Sequence, residues 1–347
     1  MKSRLAYVDI AKGILIILIA FGHTVLYSTH CALIEKYVYS FHVFGFFFVS
    51  GYTFSTNKSF KEFFWIKTKR LLFPYFFWAI LFIVPYLLIG NTIDSPSANQ
   101  SALKLLKDTI YAGGKGLAQN RPLWFLPSIF TTCVLYYYVI KICKNNKKHL
   151  VACFLISVII SLVTYEYLTI RFPYGLNYAL ILGFVFLGGN IFSLYYKEKF
   201  NKEDCYLNLG VIFLLFIMGT ICSYLNGSVS YTLLRFGTLP IAMLCGLCMS
   251  IFIVLISVKI RKCKIIEYIG KNTMGILIFH KLPIVAIQSK FGFFSSLLKN
   301  SNFIVEFVMC IITTLIAVFF SLLVTAIIRK ISPCLIGEKG IFALKIK

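Results

Sequence analysis

Three histidines, His23, His42 and His280, lie inside long apolar runs of this 347-residue chain, and an imidazole is the side chain best suited to move a proton near neutral pH. In hydrocarbon an imidazole is costly unless it lines a polar cavity, so these positions mark where chemistry would sit. Asp9 and Lys12 interrupt the start of the first run. On a helix His23 lies roughly 16 to 21 Å beyond them, and Lys12 and His23 differ by only about 20° around the axis. One face therefore carries charge at one end and imidazole near the other, as the wall of a polar tunnel does.

The elements that must position these residues are membrane helices. The chain is 59% hydrophobic and 14% charged, with a mean hydropathy of +0.84, where a soluble domain carries about 25% charged residues. A hydrocarbon core asks for about 20 mostly apolar residues per helix. On that basis the spans are expected at Ile10 to Ser28, Tyr37 to Phe54, Leu71 to Ile89, Leu123 to Ile142, Leu150 to Tyr165, Leu176 to Tyr195, Tyr206 to Tyr224, Leu234 to Val258, Asn272 to Gln288 and Phe303 to Ile328. The expected fold class is all-α, a polytopic membrane protein of about ten spans, in one domain over residues 1–347. Lys2 and Arg4 precede the first run as in a signal peptide, but Asp9 and Lys12 break its start and no small-x-small cleavage site follows. It reads as a retained first helix.

Lysine and arginine number 35 against 12 acidic residues, a net charge of +23. With the N-terminus cytoplasmic, 25 of those 35 fall in inner segments, the asymmetry of the positive-inside rule. Both termini are then cytoplasmic, and basic loops against anionic headgroups account for the charge. A nucleic-acid partner is not expected, because the charge is dispersed among short loops. In this orientation His23, His42 and His280 converge on the outer half of the membrane, while His30 and His149 fall in loops as solvated residues.

The other motifs have bland readings beside the sharp ones. His23, His42 and His280 near helix ends can each also be interfacial residues bonded to a neighbouring carbonyl. Asp9 and Lys12 have the i, i+3 spacing of a local helix pair. Arg70 closes the run KTKR as a topology marker would, yet it abuts LLFPYFFW, where Pro74 can kink the third helix and open room beside it. Phe46, Phe47 and Phe48 read as packing residues. In RPLWFLPS, Trp124 suits an interface, and Arg121 is either an interfacial anchor or a substrate contact. The 11 cysteines are scattered, and Cys245 and Cys248 sit mid-helix as small packing residues, so no disulfide or metal framework is implied. The stretch Ala112 to Asn120 lacks the spacing of a phosphate loop and reads as a flexible connection at the outer mouth of a site.

The segment RLAYVDIAKGILIILIAFGHT, Arg4 to Thr24, resembles the first helix of the acyltransferase-3 family of integral-membrane acyltransferases, with Arg4, Asp9, Lys12, Gly13 and His23 at matching places. YSFHVFGFFFVSGYTF, Tyr39 to Phe54, is similar to its second-helix motif. KRLLFPYFFW, PLWFLPSIF and YIGKNTMGILIFHKL follow in family order. Lys12 stands where many members have arginine, a change that loses bidentate recognition and resembles the sugar O-acetylase branch. The sequence shows no appended hydrolase-like domain, so helices and outer loops are expected to recognise the acceptor.

The resemblance implies transfer of an acyl group, usually acetyl, from cytoplasmic acyl-CoA to a hydroxyl of a cell-surface or lipid-linked saccharide at the plasma membrane, beside envelope-synthesis enzymes. Acetyl-CoA is the donor and no metal is expected. Arg4, Asp9, Lys12, Lys67, Lys69 and Arg70 are the candidate donor-binding residues, with Asp9 orienting Lys12 or Arg70. His23 and His42 are the candidate catalytic residues. His23 acts as general base or as a transient acyl carrier; His42 orients it, bonds the acceptor or stabilises the oxyanion. Arg121, Trp124 and His280 are the candidate acceptor contacts. Two other classes stay open: a transporter of a polysaccharide or small metabolite with the histidines as a proton relay, and a structural subunit of an envelope-synthesis assembly.

Overall fold

The computed structural model describes residues 5–28, 30–89, 100–113, 117–144, 146–200, 207–290 and 302–340. Among these residues the chain is helical, and the sole β contact is an isolated bridge between Ser230 and Arg235. The helices are α1 (Ala6–Val25), α2 (Ala32–Tyr39), α3 (His42–Tyr52), α4 (Phe60–Lys67), α5 (Phe73–Leu81), α6 (Ile83–Ile89), α7 (Ala102–Tyr111) and α8 (Phe125–Ile142). They continue with α9 (Lys147–Tyr167), α10 (Leu176–Phe200), α11 (Leu209–Leu225), α12 (Leu239–Ile260), α13 (Lys264–Lys271), α14 (Thr273–Phe279), α15 (Lys281–Lys290) and α16 (Phe303–Ile331).

Among the described residues, eight helical stretches are long and apolar enough to cross a membrane, and two shorter apolar ones, Leu209–Leu225 and Thr273–Gln288, complete the ten expected runs. Backbone groups in hydrocarbon must be satisfied within the segment, which is why these runs are helices. Where chain enters a helix from a loop, side chains take the first free N–H groups: Asn146 caps α9, Asn208 caps α11 and Asn302 caps α16.

α1 is central, packed against α3, α12, α13 and α16, while α3 lies along α10. The α1–α13 crossing is close. A Cβ on Gly270 would stand 1.7 Å from the Asp9 carbonyl oxygen, so only glycine allows that approach. α9 and α16 turn Leu155, Ile159, Leu315 and Phe319 outward, as lipid-facing helices do. Leu5 before α1 and Glu338 beyond α16 line one cavity, so the first and last described segments meet at the same face of the bundle.

Two of the expected spans are interrupted beside histidines. The second run breaks at Ser40 and Phe41, leaving α2 and α3 with His42 at the start of the second piece. The ninth breaks at His280, between α14 and α15. Thr68–Leu72 is a π-helical turn leading into α5, whose early Pro74 has no N–H to donate back into the preceding turn. Residues 234–238, expected to begin the eighth span, instead lie before α12, which starts at Leu239. Tyr206, the expected start of the seventh, lies outside the described residues.

Candidate active site

One stripe of α1, Lys12, Ile16, Ile19 and His23, walls three cavities that abut end to end. The mouth, about 790 Å³, holds Asp9, Lys12 and Arg70. A middle cavity of about 430 Å³ shares Lys12, Arg70 and Thr273 with it and adds Ile16, Ser50 and Lys67. The third cavity, outer only in lying beyond the middle one from the mouth and also about 430 Å³, shares Ile19, Phe125 and Leu277 with the middle one and holds His23 and His42. The helical spacing of Lys12 and His23 thus becomes a wall with cations at one end and imidazoles at the other.

The three histidines do come together. The His23 and His280 ring centres are 5.2 Å apart, and His42 lines the same outer cavity as His23. His23 Nδ1 stands 3.4 Å from the Tyr39 hydroxyl, and the Tyr39 ring meets His42 edge-on at 4.9 Å. His42 Nδ1 donates to the Val38 carbonyl and His280 Nδ1 to the Ile276 carbonyl, each at 2.7 Å. The two broken helices therefore use one device: the ring after the break bonds the carbonyl four residues back. In neutral imidazole this tautomer leaves Nε2 as an acceptor. The His280 Nε2 is buried without a hydrogen-bond partner among the described residues.

Arg121 and Trp124 also line the outer cavity, the first turn before α8 placing both there. Trp124 stacks on Tyr178 at 4.3 Å and lies nearly parallel to Tyr231 at 6.1 Å. The Tyr231 hydroxyl donates to the Tyr39 carbonyl at 2.8 Å, so the loop carrying the bridge Ser230 to Arg235 is tied across to α2. Glu35 and Lys281 complete the charged lining.

At the mouth, Lys271, Arg329 and Lys339 join Lys12 and Arg70. Lys67 lies deeper, 5.7 Å from the Phe54 and Phe63 ring centres. Lys69 is not brought to this site; it faces a separate surface depression with Lys61 and Trp65. Arg4 lies outside the described residues. His30, expected to be merely solvated, instead pairs through Nδ1 at 2.8 Å with the buried Glu306, which also accepts from the Ser28 hydroxyl.

Tyr39, Tyr231, Lys281, Lys271 and Arg329 are among the lining residues that the sequence reading did not single out. Lys281 follows His280 directly and Arg329 closes the last apolar run, so both carried a signal. Tyr231 carried none, because only the loop's fold brings it to the cavity.

The family model Acyl_transf_3, an acyltransferase domain, matches residues 5–323. No curated protein and no solved structure is significantly similar. The match spans nearly the whole chain and includes every α1, α3 and α14 residue of the site, and the helices that carry it are apolar enough to cross a membrane. The chain belongs to the acyltransferase-3 family and is a membrane acyltransferase.

Proposed function

We propose that the protein transfers an acyl group, acetyl in the simplest case, from cytoplasmic acyl-CoA to a hydroxyl of a cell-surface or lipid-linked saccharide. The observation that supports this most is the run of abutting cavities from a basic mouth to a histidine cluster. The polyanionic end of CoA suits the mouth, where Lys12, Arg70 and Lys271 offer cations. Its long arm then lies along the Lys12–His23 stripe, and the thioester reaches the outer cavity. This reading puts the mouth in the cytoplasm of a plasma-membrane protein, with the acceptor arriving from the outer side beside the enzymes that assemble envelope saccharides.

In the transfer, the His23 imidazole takes the proton of the acceptor hydroxyl as that oxygen attacks the thioester carbonyl. The tetrahedral intermediate collapses with loss of the C–S bond, and the leaving CoA thiolate takes the proton back from His23. The neutral tautomer of His42 and His280 suits acceptance of hydrogen bonds from saccharide hydroxyls rather than stabilisation of an oxyanion. Arg121 and Lys281, the cations of the outer cavity, are better matched to the oxyanion. Trp124 and Tyr231 supply apolar area for a sugar face.

The test is incubation of the purified protein in lipid with acetyl-labelled CoA and a lipid-linked sugar extract. Label in a saccharide with release of an equal amount of CoA thiol is expected. Thiol release without labelled saccharide from any extract would remove the saccharide as acceptor.

A further inference from the structure

Arg329 stands in the last turn of α16, and its guanidinium is held from two sides. Nη2 donates to Asn272 Oδ1 at 2.6 Å. Nε and Nη2 also donate to the two carboxylate oxygens of Glu338 at 2.8 and 2.5 Å, a fork-on-fork pair. Asn272 is buried and anchored in turn, its Nδ2 donating to the Tyr268 carbonyl at 2.7 Å. The arginine is therefore aimed by a fixed partner and covered by an exposed one.

Glu338 reaches it through a short reversal after α16. The turn Pro333–Ile336 packs on α5, where Trp78 Nε1 donates to the Leu335 carbonyl at 2.8 Å. Gly337 follows at φ 71°, and a Cβ there would stand 2.5 Å from the Arg70 carbonyl oxygen. This strap ends over the same mouth that Lys12, Arg70 and Lys271 line. A carboxylate gripped by both prongs of an arginine has the geometry a phosphate would have in its place.

We propose that Arg329 binds a phosphate of the acyl donor and that Glu338 holds that position while the donor is absent. The proposal rests on the acyl-CoA reading above. When the donor enters, phosphate oxygens take the Arg329 N–H groups, Asn272 keeps the guanidinium aimed, and the Glu338 carboxylate turns to water. Only hydrogen bonds change. An exposed ion pair is worth about 1 kcal/mol, so a group of higher charge can displace the carboxylate while its presence still weakens donor binding several-fold.

The experiment is titration calorimetry of coenzyme A into the full chain in lipid nanodiscs, for the unsubstituted protein, R329Q, E338Q and the double variant. R329Q is expected to weaken binding by roughly ten-fold, the scale of one charged hydrogen bond. E338Q is expected to tighten it several-fold, and the double variant to match R329Q. If R329Q does not fold, R329K takes its place, since it keeps the charge, loses the fork and should also weaken binding. An unchanged dissociation constant in E338Q or in the Arg329 variant, with the unsubstituted protein binding CoA, overturns this proposal alone. No CoA binding by the unsubstituted protein overturns the acyl-CoA reading and this proposal with it.

Discussion

The His23 and His280 rings lie 5.2 Å apart, centre to centre, and are tilted by 40°. One comes from the unbroken α1 and the other from the break between α14 and α15, so a helix interruption is what brings the second imidazole beside the first. His280 makes one structural bond, to the Ile276 carbonyl, and leaves Nε2 buried and unpartnered. Replacement by asparagine can keep an N–H near that carbonyl while removing Nε2. His280→Asn is therefore expected to melt close to the unsubstituted protein and yet to transfer acyl groups at least about ten-fold more slowly, as loss of a positioning hydrogen bond would require. Equal turnover at equal melting temperature would confine His280 to shaping the helix.

The middle cavity gives a separate check on the route. Ser50 lines it and is not part of the lining of the histidines' own cavity. Ser50→Phe should fill that space, leave CoA binding at the mouth near normal, and lower transfer by about a hundred-fold, because a thioester held short of His23 cannot react. Unimpaired transfer in a stably folded Ser50→Phe protein would mean that the acyl group travels another way.

Arg70 borders both the mouth and the middle cavity. Arg70→Ala is expected to weaken CoA binding by about ten-fold, as loss of a charge-assisted contact does, with turnover at saturating donor less affected. A dissociation constant equal to that of the unsubstituted protein would take Arg70 out of the donor site.

Much of this arrangement was legible before the structure. The ten apolar runs, the shared face of Lys12 and His23, and the convergence of His23, His42 and His280 follow from hydropathy and helical period alone. The breaks at Ser40 and His280 were not legible. Each lies in apolar sequence without proline at the break, and it is defined by tertiary packing and by a histidine bonding a carbonyl four residues back. The bland reading of those two rings, a carbonyl bond near a helix end, and the functional one turn out to describe different nitrogens of the same side chain. Lys69 was grouped with Arg70 by adjacency, but neighbouring residues on a helix point apart, and only Arg70 faces the mouth. Glu306 escaped notice because a single acid at the start of an apolar run looks interfacial, and its partners His30 and Ser28 are nearly 280 residues away in sequence.

That buried carboxylate ties the chain after α1 to the start of α16. Glu306→Ala removes the acceptor of the Ser28 hydroxyl and of the His30 N–H groups, and is expected to destabilise the fold by about 1–3 kcal/mol. A lowered melting temperature in detergent with normal turnover per folded molecule is the expected outcome. Unchanged stability would mean that the cluster is no anchor.

The central claim is that His23 activates the acceptor hydroxyl at the outer end of the donor's path. Its most direct measurement is single-turnover transfer from acetyl-labelled CoA by the purified protein beside His23→Ala, with CoA affinity determined on the same samples. Loss of transfer by roughly a thousand-fold, the range of general-base catalysis, with an unaltered dissociation constant for CoA, is the predicted result. Transfer by His23→Ala at a rate near that of the unsubstituted protein would contradict the account.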